Sequence, residues 1–427
     1  MGIDLLLLGV FLILAEKKMM GDKYLLFSPY FILNLSILYI YVLPIIMVGT
    51  PNSVNYLSRL SYELVAQLLT QVRLFYYIFA IFSLYSIHKI SENRLLQTSM
   101  TNEIFLTSTF MFFSWVCLIV LAVVVDFAKV GFSPGQFIQM QINPREFTYL
   151  RSGLGPLTYI TNVSKMLLLF ISTVYFFQKK TFSALFVLLI SFLVNLAGGS
   201  KSSLLIIFIF VILVRQKNQM ERKLGTGKFA LVIVFFSAVA FFSFYIMCDS
   251  MNIDSFSELV DFITSYAQEA FYSAKVIDDF SWIPNNIWIA IRSFFLTPIP
   301  RFLFPDKGYY GFYQECWRNV YQEGSVLYQS STYGFLAEGH MLFGFFSPIL
   351  LAFIINKVAR KIYIDFCSSS SLTELFILSY LFTRMYFYTR SGYFDATNLW
   401  ALITFYVGSK LFFFIMNKYM IKKKSSS

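Results

Sequence analysis

The chain has 427 residues, of which 57% are hydrophobic, 20% aromatic and 13% charged, with a mean hydropathy of +0.65. A soluble globular chain carries about 25% charged residues, so the charge that a water-facing surface of this size needs is missing. This excludes a string of soluble domains, a disordered chain and a large catalytic domain outside a membrane. The formal charge of +11 sits in short clusters between apolar runs rather than on one folded face, which argues against nucleic acid as a partner. Cys117, Cys248, Cys316 and Cys367 are widely separated and form no disulfide or zinc pattern.

Apolar runs fall at 1–15, 24–48, 74–88, 104–127, 157–177, 182–197, 203–214, 229–248, 331–355, 372–388 and 398–416. Lipid offers no hydrogen bonds to an open backbone, and the runs lack the alternation of barrel strands. The sequence therefore predicts an all-α polytopic membrane protein of about eleven transmembrane helices, one integral membrane domain over residues 1–427. Residues 1–15 lack a basic leading region and a small-residue cleavage site, so they are expected to be a first span rather than a removed signal. Lys17, Lys18, Lys23, Lys89, Arg94, Lys179, Lys180, Arg215, Lys217, Arg222, Lys223, Lys228, Lys357, Arg360, Lys361, Lys418, Lys422, Lys423 and Lys424 fall in alternate segments between the runs and at the C-terminal end that are much denser in basic residues than the intervening ones. Basic loops stay cytoplasmic, which puts the N-terminus outside and the C-terminus inside. Residues 182–214 are the exception: Gly198 to Ser203 interrupt two short halves that can form either a hairpin or a broken helix dipping into the membrane.

Two loops assigned to the outer face are long, 128–156 and 249–330, and loops of this length are seldom passive connections. The second is rich in Tyr, Phe and Trp and is expected to fold against the membrane. Within it, residues 286–296 place Trp288, Ile291 and Phe295 on one face of an interfacial amphipathic helix, which Pro298 and Pro300 then stop.

Charged groups gather in these outer loops. Arg145 and Arg151 flank an aromatic pair in the first; the second carries Arg292, Arg301, Lys307 and Arg318 beside Asp306, Glu315 and Glu323. A guanidinium offers a planar fork of donors that fits two phosphate oxygens at once, so arginines beside a bilayer suit a lipid-linked phosphate or pyrophosphate. The competing expectation is that they snorkel to headgroups or pair with local acids. Ionisable residues inside apparent spans include Lys165, Arg384, Glu338, His340 and Lys410. Such residues are costly in lipid and face cavities or partners. Lys165 and Arg384 suit either an anionic head or a structural ion pair, Glu338 or His340 is placed to take a proton from an attacking hydroxyl, and Lys410 is expected to snorkel.

No phosphate-cradling P-loop, dinucleotide fingerprint, His-Glu-x-x-His helix or serine elbow occurs. An enzyme built on this chain is expected to use no ATP, nicotinamide cofactor or metal, and to draw its energy from an activated substrate.

The stretch Leu296-Thr-Pro-Ile-Pro300-Arg301-Phe-Leu-Phe-Pro305-Asp-Lys307, followed by Thr332 and Tyr333 leading into Glu338-Gly339 and Gly344, resembles the oligosaccharide repeat-unit polymerases of the Wzy type. The Gly-Ser-Lys segment ending at Lys201 and the basic stretch from Arg145 to Gly155 are similar to that family as well. The resemblance implies a GT-C-like helical enzyme of the bacterial plasma membrane. It implies a glycosyltransferase that moves a growing glycan from undecaprenyl pyrophosphate to the nonreducing sugar of a fresh lipid-linked unit, with a chain-length regulator as protein partner. The family's basic positions fall on Arg145, Lys201, Arg301 and Lys307, Lys201 standing where many members have Arg. Two alternatives share the lipid carrier: an O-antigen ligase, which a catalytic His such as His340 favours, and a lipid-linked oligosaccharide flippase, which favours two similar halves.

Overall fold

A computed structural model describes residues 2–21, 28–48, 57, 60–92, 108–142, 155–178, 181–197, 201–221, 268–279, 285–299, 303–304, 334–369, 371–392 and 396–424, with isolated positions between 230 and 255. Among the described residues all regular structure is helical and no strand occurs. α1 (Ile3–Met20) ends at Gly21, whose N–H bonds Lys17 O, with Lys17 and Lys18 favourably placed in the last turn. α2 (Pro29–Ile37) opens on Ser28, whose Oγ accepts from Phe31 N at 2.9 Å, with Pro29 in the first turn. A π turn (Leu38–Val42) follows, then α3 (Leu43–Ile46). Pro44 has no N–H to donate back, and the wide turn sits directly before it.

Then come α4 (Tyr62–Glu92), α5 (Ser108–Lys129), α6 (Pro134–Ile142), α7 (Gly155–Gln178), α8 (Thr181–Ala197) and α9 (Lys201–Glu221). From the second long loop come α10 (Gln268–Asp279) and α11 (Asn285–Leu296). α12 (Gly334–Phe343) runs through a tight turn (Gly344–Phe346) into α13 (Ser347–Ser368), and α14 (Leu372–Ser391) and α15 (Ala396–Lys424) complete the order. Five stretches are long and apolar enough to cross a membrane: Pro29–Ile46, Tyr62–Glu92, Met111–Lys129, Ile160–Phe177 and Gly334–Ser368. Phe182–Asn195 and Leu399–Ile415 are shorter apolar helices.

Helices occupy the apolar runs that fall among the described residues; the run at 229–248 lies almost wholly outside them. Residues 182–214 give two separate helices with different main neighbours, α8 lying on α7 and α9 on α14. The run at 331–355 is broken at Gly344, whose φ of 60° is the left-handed conformation that glycine tolerates. Helix 286–296 forms as expected from its pattern, and Trp288 (68% exposed) and Phe295 (63% exposed) lie on its open face. α6 and α10 were not foreseen.

In the interior α13 lies on α4, α7 on α5, α1 on α4, and α10 against α12 and α4. Rings fill much of it: Phe75 stacks on Phe79 at 5.8 Å and meets Phe335 edge-on at 4.8 Å, while Phe170, Phe210 and Phe376 form a second knot. Small polar side chains join the helices, as expected where lipid removes the hydrophobic drive to associate: Trp115 Nε1 donates to Ser191 Oγ at 2.7 Å and Asn34 Nδ2 to Gly9 O at 2.8 Å. Large apolar side chains such as Leu7, Phe11, Phe113, Val120 and Phe345 point outward, a surface suited to hydrocarbon.

Candidate functional site

At the end of the bundle where α12 begins, four segments bring polar groups into the interior. The π turn supplies Tyr41, α10 supplies Glu269 and Ser273, α12 supplies Glu338, and the last turn of α14 supplies Arg390. Arg390 Nε donates to Glu269 Oε1 at 2.6 Å, and the Glu269 side chain is 2% exposed. Tyr41 OH and Ser273 Oγ are 3.3 Å apart. Glu269 and Glu338 both act electrostatically on the Tyr41 hydroxyl, so the two acids share one polar centre. Glu269 and Ser273 are four residues apart and therefore share a helical face.

Two glycines permit this approach. Gly334 has φ +77°, and a Cβ there would overlap the Tyr41 hydroxyl and stand 3.1 Å from Ser273 Oγ. Gly339 lies where a Cβ would run into Leu351, so α12 and α13 can fold against each other closely behind Glu338. The amphipathic helix α11 is fastened over the same end. Asn286 Nδ2 donates to Met341 O at 2.9 Å, Trp400 Nε1 donates to Phe294 O at 2.6 Å, and the Trp400 ring stacks on Phe294 at 5.2 Å.

The cations within the helices are held in different ways, Lys217 of α9 by the carbonyls of Phe366 and Cys367 at 3.4 and 2.9 Å. Arg73 Nε donates to Asp4 Oδ2 at 2.9 Å. Lys165 and Lys129 both donate to Asp126, at 2.5 and 2.6 Å, in a cluster whose side chains are at most 11% exposed. Lys165 is thus in an ion pair, the second of the two roles its position allowed. Arg384 differs. Its guanidinium lies over Tyr380, on its own helix, at 5.0 Å and over Phe387 at 5.6 Å, and no carboxylate pairs with it among the described residues. Tyr380 in turn stacks on Phe405 of α15 at 3.9 Å. Arg384 is half-buried and lies nearly two turns back from Arg390 along α14. It also hydrogen-bonds the Tyr380 side chain, and with no carboxylate beside it among the described residues its charge is suited to an anion, which is the property a phosphate site needs.

Of the residues singled out from sequence, Glu338 is fully buried on α12, His340 is half-buried two residues further on, and Arg292 is exposed on α11. Lys201 opens α9, but its side chain lies outside the described residues, as do Arg145, Arg151, Arg301 and Lys307 altogether. Lys410 is exposed and lies over the Tyr406 ring at 5.8 Å. Tyr41, Glu269, Ser273 and Arg390 were missed. The only local signal was the acid and hydroxyl at four-residue spacing on α10. No cluster of three or more His, Cys, Asp or Glu suited to a metal occurs among the described residues.

Fold and site together define an all-helical protein with apolar helices able to span a membrane and a buried polar centre at one end. No family model matches the chain, and neither a curated protein nor a solved structure matches it.

Proposed function

We propose that the chain is a glycosyltransferase that polymerises lipid-linked oligosaccharide repeat units at the outer face of a bacterial plasma membrane, with about eleven spans in a GT-C-like arrangement. The N-terminus lies outside and the C-terminus inside. The donor is a growing glycan on undecaprenyl pyrophosphate, and the acceptor is the nonreducing sugar of a new lipid-linked unit. The observation that carries the reading is Arg384, a guanidinium held within the helical bundle with rings beside it and no carboxylate among the described residues. A charge so placed is costly unless it has a counter-ion, and a lipid phosphate supplies one. The polymerase-like motif residues Arg301 and Lys307, with Arg145, Arg151, Lys201 and Arg292, are assigned to the same anion.

In the reaction, the bond between the anomeric carbon and the pyrophosphate oxygen breaks while the acceptor hydroxyl oxygen bonds to that carbon. The hydroxyl proton passes to Glu338 or His340, and the pyrophosphate leaves on its lipid. Charge grows on the leaving group as the bond lengthens, so fixed guanidinium groups in a poorly hydrated site stabilise the transition state more than the bound substrate. Holding both glycans side by side supplies orientation. A general base adds about 10²–10⁴-fold.

Deleting the gene and resolving the surface polysaccharide on a gel tests this reading. The expected pattern is one repeat unit per acceptor in place of the ladder. A total loss of surface glycan points instead to the ligase or the flippase, and an unchanged ladder overturns all three.

A further inference from the structure

The C-terminal end of α1 holds a group of buried oxygen atoms that the proposed reaction does not use. Glu16 is 2% exposed, one turn before the end of the helix, and its Oε1 makes no hydrogen bond. Ser28, the cap of α2, hydrogen-bonds the carboxyl from one side. Tyr30 from α2, Ser83 from α4 and Asn356 from α13 are each at most 5% exposed, and Tyr30 OH, Ser83 Oγ and Asn356 Oδ1 are also without partners. Ser86 links them. Asn356 Nδ2 donates to Ser86 Oγ at 3.1 Å. The Tyr30 hydroxyl faces Ser86, short of a full hydrogen bond, and feels the charge of Glu16. Ser83 stands one turn from Ser86 on α4. Arg360, one turn beyond Asn356, acts on Tyr30 but forms no ion pair with Glu16 among the described residues.

We propose that Glu16, Tyr30, Ser83 and Asn356 bind a monovalent metal cation between α1, α2, α4 and α13. A buried carboxylate needs a counter-charge, and buried polar atoms need partners. The unpartnered atoms are all oxygens, the ligands that hard cations take. The cluster supplies one negative charge, which a single positive charge neutralises and a divalent ion overshoots. A proton on Glu16 removes the charge but leaves Ser83 Oγ and Asn356 Oδ1 unserved, whereas one central ion serves all four. The site shares no residue with the centre of Tyr41, Glu269, Glu338 and Arg390 or with Arg384, so its occupancy is independent of the polymerase reading and acts on the packing of four helices.

The purified full-length protein in detergent is unfolded by heat at fixed pH and ionic strength while sodium chloride replaces choline chloride. The midpoint is expected to rise by a few degrees and then saturate, as for an ion bound only by the folded state. Glu16→Gln keeps the shape, removes the charge and is expected to abolish the rise. Ser83→Ala removes one ligand without touching a charge, and is expected to raise the saturating sodium concentration severalfold; it carries the test if Glu16→Gln does not fold. Equal midpoints in choline, sodium and potassium, or a Glu16→Gln variant that still responds to sodium, overturn the proposal. So does a wild-type midpoint that depends on pH alone, which assigns Glu16 a proton and a bridging water.

Discussion

Glu269, beside the start of α12, is held by Arg390, and Asp126 of α5 by two lysines; at the C-terminal end of α1, Glu16 is as deeply buried with no basic partner among the described residues. Among the cations, Arg73 and Lys165 have acids and Lys217 has backbone carbonyls, while Arg384 has rings and the Tyr380 side chain. In an interior of low polarity, a charge with an internal partner contributes to holding helices in register, and a charge without one is left to be matched from outside the chain. The paired groups therefore belong to the architecture, and Glu16 and Arg384 are the two positions proposed to meet ligands.

If that division is right, disturbing a paired group damages the fold. The largest effect is expected at Asp126→Asn, which strands Lys165 and Lys129 in the interior at a cost of about 3–5 kcal/mol. The readout is the yield of folded protein and its thermal midpoint. Adding Lys165→Met should recover much of the loss, and a single variant as stable as wild type would remove Asp126 from any structural role. Next comes Gly334→Ala, which forces a side chain into a left-handed backbone beneath the Tyr41 hydroxyl and should cost about 1–3 kcal/mol. Gly21→Ala is the control, because its φ is also positive but nothing lies within 4 Å; denaturant titration should find it the milder of the two. Smallest is Trp400→Phe, which keeps the ring over Phe294 and gives up one hydrogen bond, for about 1 kcal/mol. A larger loss would mean that α11 depends on that one hydrogen bond.

The sequence announced the helices that lie in lipid-like runs, because a stretch of Leu, Ile, Phe and Val is its own signal. α6 and α10 carried no such run. The Gln-rich stretch 134–142 and the mixed 268–279 read as loop because their helical faces are shaped by neighbours rather than by composition. The break at Gly344 was hidden inside continuous apolar residues. Pairing was harder still: Asp126 meets Lys165 across 39 positions and Glu269 meets Arg390 across 121, distances over which spacing says nothing. Glu338 was found because a carboxylate within an apolar run stands out, and its companions Tyr41 and Ser273 were not, since hydroxyls in helices are commonplace. The basic positions of the polymerase-like motif, Arg145, Arg301 and Lys307, lie outside the described residues, so their weight comes from the sequence resemblance alone.

The central claim is that the Arg384 guanidinium serves a lipid-linked phosphate, and one complementation experiment tests it most directly. A deletion strain receives the wild-type gene, Arg384→Lys or Arg384→Gln at matched membrane levels, and the surface glycan is resolved by length. Losing one charged donor to the leaving group is expected to cost about 10²–10³-fold in rate. The ladder should therefore vanish with Gln and return in part with Lys, which keeps the charge without the two-pronged contact. A full-length ladder from the Gln protein would contradict the account.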